Sequence, residues 1–132
     1  MADDSGRITF DDDAIRELGK ACPTPVLGIN GGPDPIQVRA IRTWKSTGNH
    51  ALDMLKAAAG LACESAELFN LFNRAVFKGK ALDRATVLDE AGDVLYYLAI
   101  LLAQFGVTID ELSLMNREKL KDGKHGWPEN AK

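Results

Sequence analysis

Beyond Asp34 the chain repeats its apolar residues every three or four positions, a spacing that leaves helices as the only regular structure open to it. Asp34 stands where a cap belongs, with Pro35 at the first helical position and Ile36, Ala40, Ile41 and Trp44 on one stripe. Thr47-Gly48-Asn49 reads as a turn. Asn49 caps a long helix predicted to run to about Phe77, with Leu52, Leu55, Ala59, Ala62, Ala66, Phe69 and Phe72 as its expected apolar face. Lys78-Gly79-Lys80 breaks the pattern. Asp83 caps the next helix, which is expected to reach about Phe105 and stop at Gly106. Thr108 and Glu111 have the spacing of a capping box for a last helix to about Lys121. No strand pattern and no internal repeat are present. The expected fold is therefore all-α, an antiparallel bundle of four main helices with short connections. Its third helix is apolar almost all round over the ten residues Val94 to Ala103. One layer of four helices covers only one side of such a segment, so the bundle is expected to be completed by oligomerisation, as a homodimer or homotetramer. Enclosure within a single chain is the alternative.

Residues 1–33 differ from the rest. Residues 11–20 suit a short helix capped by aspartates. Residues 21–35 are dense in proline and glycine and read as an irregular arm. The expected division is an N-terminal arm over 1–33, a helical domain over 34–122 and an aperiodic tail over 123–132. With 45% hydrophobic and 27% charged residues the composition is that of a globular domain. The net charge of −3 argues against gripping a nucleic-acid backbone, which needs a basic face. Two cysteines, Cys22 and Cys63, make no disulfide framework, and Cys63 is expected as a small buried hydrophobe. The acidic start carries no secretory pattern, and the longest apolar run falls short of the roughly 18 residues a membrane span needs. A cytoplasmic protein is expected.

Four acids carry the chemistry. Glu64 and Glu67 are three apart, on one face of the second long helix, and Glu90 and Asp93 are three apart on the third. Folding the hairpin between Lys78 and Gly79 sets Glu64 opposite Asp93 and Glu67 opposite Glu90, at one height. Their neighbours Leu61, Ala62, Ala66, Leu68, Ala91, Val94 and Leu95 are apolar or small. No basic residue lies between Lys56 and Arg74, or between Arg84 and Arg117. Like charges so placed repel and call for a cation. An oxygen-only set suits a hard one, Mg²⁺ or in its place Mn²⁺. A di-iron centre is disfavoured, because neither His50 nor His125 stands three residues after a Glu.

These residues resemble the MazG-like nucleotide pyrophosphohydrolases, the all-α NTP pyrophosphatase superfamily that also includes the dimeric all-α dUTPases. That superfamily is marked by ExxE, a spacer, then ExxD. Here the motif reads Glu64-Ser-Ala-Glu67, 22 intervening residues, then Glu90-Ala-Gly-Asp93. GLACESAEL (60–68), the stretch 75–112 and Asn116-Arg-Glu-Lys119-Leu120 are similar to further family segments, so the likeness covers about residues 36–121. The resemblance implies Mg²⁺-dependent hydrolysis of (deoxy)nucleoside triphosphates between the α- and β-phosphates, giving monophosphate and pyrophosphate. It implies Glu64, Glu67, Glu90 and Asp93 as metal ligands and catalytic carboxylates, any of which could serve as the water's base. It also implies contacts from Asn116 and Lys119 to phosphate or to the acids. The chain departs from the pattern at Cys63, where many relatives carry another acid, at Gly123, where a basic residue is common, and at Lys78, where a histidine is.

Two aromatics join the candidate substrate-binding residues. Trp44 is a base-stacking candidate, although its helical spacing with Ala40 and Ile41 is more often that of a core residue. Tyr97, four residues past Asp93, is placed to shape the pocket or to pack the hairpin. Tyr96, beside it, carries no separate assignment. Lys78 and Lys80 flank the turn, expected to reach a site only across a subunit interface. Trp127-Pro128 is a candidate cap on an oligomer or on the site. The competing reading is a non-catalytic helical module that binds a metal and nucleotide or a protein partner, and Cys63 in place of an acid is the feature that favours it. A purely structural bundle is a third.

Overall fold

The computed structural model describes residues 12–21 and 34–121, which are helical throughout apart from their connections. Five helices follow in order: α1 (Asp12–Ala21), α2 (Pro35–Thr43), α3 (His50–Lys78), α4 (Arg84–Gln104) and α5 (Ile109–Lys121). The residues of the proline-rich arm over 22–33, together with Cys22, Gly123, His125 and Trp127-Pro128, lie outside the described residues.

The helices start where side chains can satisfy their free N–H groups. Asp34 Oδ1 accepts from the Ile36 N–H at 2.8 Å, Asn49 Oδ1 from Leu52 at 3.1 Å, and Asp83 Oδ2 from Thr86 at 2.9 Å. Thr108 and Glu111 close a reciprocal box: the Thr108 N–H donates to Glu111 Oε2 and the Glu111 N–H to Thr108 Oγ1. α3 ends on Gly79 at φ 61°, a left-handed conformation that lets its N–H and that of Lys80 both reach the Arg74 carbonyl.

α3 and α4 form the main antiparallel pair, α2 lies on α4, and α1 lies against α3. The core is built at one end of this hairpin. Ala40, Ala57, Ala99 and Ile100 are buried together, with Ile36, Ile41, Trp44, Tyr96, Leu101 and Ile109 packed around them. Gln37, also buried, stitches α2 to the end of α4 by donating to the Ala99 carbonyl at 3.3 Å and the Val107 carbonyl at 2.7 Å. His50 Nδ1 pairs with Gln104 Oε1 at 2.9 Å across the same end. Beneath it, the buried Asp53 carboxylate holds the turn before α3: Ser46 Oγ, Thr47 N and Thr47 Oγ1 all donate to it. α5 leaves α4 at 89°. Among the described residues no single helix is long and apolar enough to cross a membrane.

Ala99, Ile100, Leu102 and Ala103 are buried by the chain itself. Two expectations change. The face that α3 turns to its neighbour is Ala57, Gly60, Leu61, Glu64, Leu68 and Leu71, and not the stripe chosen from spacing. Leu55, Ala59, Ala62, Ala66, Phe69 and Phe72 are exposed. α3 carries two apolar stripes, and periodicity alone does not say which one α4 covers. Cys63 falls beside the covered stripe, about 100° round the helix from Glu64, and is exposed instead of buried.

Candidate metal centre

Gly60 shows how closely the hairpin is packed next to the acids. A Cβ there would collide with the Tyr97 ring. The missing side chain lets Tyr97 lie on the α3 backbone, edge-on to Trp44 at 6.5 Å and to Tyr96 at 5.2 Å between centroids. One turn further from the core, Glu64 on α3 meets Glu90 and Asp93 on α4. One carboxylate oxygen from each lies within 4.8 Å of the other two. The hairpin register read from the turn thus brings together three of the four acids. Glu67 stands outside this triad, exposed on α3 but sharing a groove with Glu90.

The triad is under electrostatic stress. Glu64 is half-buried, and that burial, with the charges of Glu67 and Asp93, raises its pKa above the usual carboxylate value. Burial likewise raises Glu90, which also feels Glu67, Glu64, Asp93 and Asp89. None of the four acids makes an ion pair with a described residue, and the ion pairs among described residues lie on α1 and α5. Tyr97 is also raised, first by burial and then by the Glu64 charge, so it stays a neutral phenol above the cluster. Oxygen donors from two helices, convergent and without an ion-pair partner among the described residues, could hold a metal ion.

Trp44 is packed into the edge of the core. Lys56 Nζ sits 4.2 Å from the centre of its ring and covers one face, a cation–π contact. Its indole N–H is buried and meets no acceptor within hydrogen-bonding geometry, although it adds to the donors that lower the Asp53 pKa against the effect of burial. Tyr97 links this tryptophan to the acid cluster. Asn116 and Lys119 are exposed on α5. Because α5 begins beyond the far end of α4, about 16 Å along the axis from Asp93, and departs at 89°, the chain does not bring them to its own acids.

Five residues that the sequence did not place at the acids of the same chain do lie beside them. A groove of about 310 Å³ is lined by Glu67 and Glu90 together with Asn70, Leu71, Asn73, Arg74 and Lys78. Lys78 therefore lies along the acids of its own chain, where only a neighbouring subunit's acids had been expected. The signal was present: positions 67, 70, 71, 74 and 78 are one helical stripe. No family model, curated protein or solved structure matches this chain.

Proposed function

We propose that the chain is a divalent-cation-dependent nucleotide pyrophosphohydrolase of the MazG-like kind, cleaving (deoxy)nucleoside triphosphates to the monophosphate and pyrophosphate and so adjusting a nucleotide pool. The observation that carries this is the convergence of Glu64, Glu90 and Asp93 within 4.8 Å, with no cationic side chain of the described residues bound to them. Those three would hold Mg²⁺, or Mn²⁺ in its place. A divalent cation there supplies charge stabilisation on the phosphates and the leaving pyrophosphate. Glu67, exposed and next to Glu90, is the carboxylate left to orient an attacking water and accept its proton. Tyr97 fixes the inner wall, and its close contact with Gly60 keeps that wall in place. The same chain in two or more copies would serve this function best. Phe69 is 66% exposed, Val76 73% and Phe77 78%, along the hairpin that carries the acids. A neighbouring copy covering them is also the route by which Asn116 and Lys119 would reach a site.

The second reading, a module that binds metal and nucleotide without turnover, is favoured by Cys63, an exposed thiol directly before the first motif acid. The test incubates the protein with a panel of NTPs and dNTPs and Mg²⁺, measuring pyrophosphate and orthophosphate separately, beside a chelator control and Glu90→Gln. Metal-dependent pyrophosphate that Glu90→Gln abolishes is the expected result. Orthophosphate with diphosphate would move the cleaved bond. No turnover with metal still bound would establish the second reading.

A further inference from the structure

We propose that Arg74 and Lys78, with the amides of Asn70 and Asn73, form a polyphosphate-binding subsite that holds the terminal phosphates of the nucleotide at the turn end of the groove. The groove is bipolar. Glu67 and Glu90 line it together with Arg74 and Lys78, and the rise along α3 sets the two cations nearer the turn than Glu67. Arg74 lies two turns from Glu67, about 10 Å along α3. Helical side chains lean toward the helix N-terminus, so both cations reach back toward the acids. Neither makes an ion pair with a described residue, which leaves them available to an anion. The negative end of the α3 dipole accounts for a lysine in the last turn. It does not account for an arginine one turn earlier with two asparagines on the same groove.

The chemistry selects the ligand. The acids would hold a cation that could bind one part of a chain of phosphates. A guanidinium and an ammonium further along take oxygens from the next part, the guanidinium through two donors at once. An orthophosphate is too short to use both ends, whereas a triphosphate spans them. The terminal phosphates then point to the Lys78 end and the nucleoside to the Tyr97 end. The nucleotide identity rests on the hydrolase reading, but the polyphosphate site does not.

The test titrates inorganic tripolyphosphate, pyrophosphate and orthophosphate into the full chain with Mg²⁺ present, for the wild type, Arg74→Gln, Lys78→Gln and the double variant. Mn²⁺ affinity and NTP turnover are measured separately. Tripolyphosphate is expected to bind more tightly than orthophosphate, and each substitution to weaken it about tenfold, as the loss of a charge-assisted contact does. Mn²⁺ affinity is expected to hold or rise, since the acids lose only neighbouring positive charge. Arg74→Lys is expected to recover part of the loss. Unchanged tripolyphosphate affinity in the folded double variant, or equal affinity for orthophosphate in the wild type, would overturn the subsite even with turnover intact. Absent turnover, with tripolyphosphate binding still dependent on Arg74 and Lys78, would instead refute the hydrolase reading and leave the subsite standing.

Discussion

The two ends of the α3–α4 hairpin are built from the same kinds of helix and do opposite things. At the core end, Ala57, Ala99 and Ile100 are buried, Gln37 and His50 have partners, and the buried acid, Asp53, is met by three donors. At the turn end, three acids converge with no ion-pair partner among the described residues, and Phe69, Val76 and Phe77 face outward. One end satisfies nearly all its demands internally, the Trp44 indole N–H excepted. The other is stable only in so far as the first supports it, and its unmet demands are those a cation, an anion and a second surface would meet. Local rules broken in one place and kept in another are the expected mark of a functional region.

The sharpest way to break the comparison is to damage the core end. Ile100→Ala is expected to lower unfolding stability by about 2–5 kcal/mol, as truncation of a fully buried aliphatic does. A urea melt in the presence and absence of Mg²⁺ checks this, and the loss is expected to be equal in both. Gly60→Ala comes next. Alanine is the better helix former, but its methyl would press into a ring held by Trp44 and Tyr96, so a net loss of about 1–2 kcal/mol is expected. A gain in the same melt would show that Tyr97 moves freely.

The two ends should also respond to acid with opposite sign. Asp53 has a folded pKa below the ordinary carboxylate value, because its donors outweigh burial. The stability it contributes is present above that value and is lost as pH falls through the lower folded one. Glu64 and Glu90 have folded pKa values above 4.5, so their ionisation costs stability above that window, and the cost is relieved as pH falls. In metal-free protein, Glu90→Gln is therefore expected to flatten the decline in melting temperature as pH rises from the ordinary carboxylate range. Asp53→Asn is expected to flatten the acid limb. Both follow from melts across pH with a chelator present, and a steeper decline in Glu90→Gln would contradict the stress at the triad. The smallest expected effect is at the capping box, where Thr108→Ala should cost about 1 kcal/mol and leave metal binding alone.

Much of this arrangement was legible in the sequence. Asp34, Asn49, Asp83 and the Thr108–Glu111 pair sit where caps were expected, because capping depends on a few adjacent residues. The height match of Glu64 with Asp93 was legible because one turn fixes an antiparallel hairpin. The covered face of α3 was not, since it bears apolar residues on two stripes and only the partner helix decides between them. Cys63 was misplaced for the same reason. The direction of α5 was also hidden: Gly106 and Thr108 say that a helix stops and another starts, and nothing local sets the 89° between them. Arg74 and Lys78 escaped because the turn looked remote from the acids, although one stripe of α3 joins them.

The central claim is that the acid cluster is a cation site. It is tested most directly by the melting temperature of wild type and Glu90→Gln, with chelator and with saturating Mg²⁺, near neutral pH. A cation that binds only the folded chain stabilises it by mass action. The account requires a clear Mg²⁺-dependent rise in the wild type and little or none in Glu90→Gln, whose chelated form should melt no lower than the chelated wild type. Equal melting temperatures of the wild type with and without Mg²⁺ would contradict it.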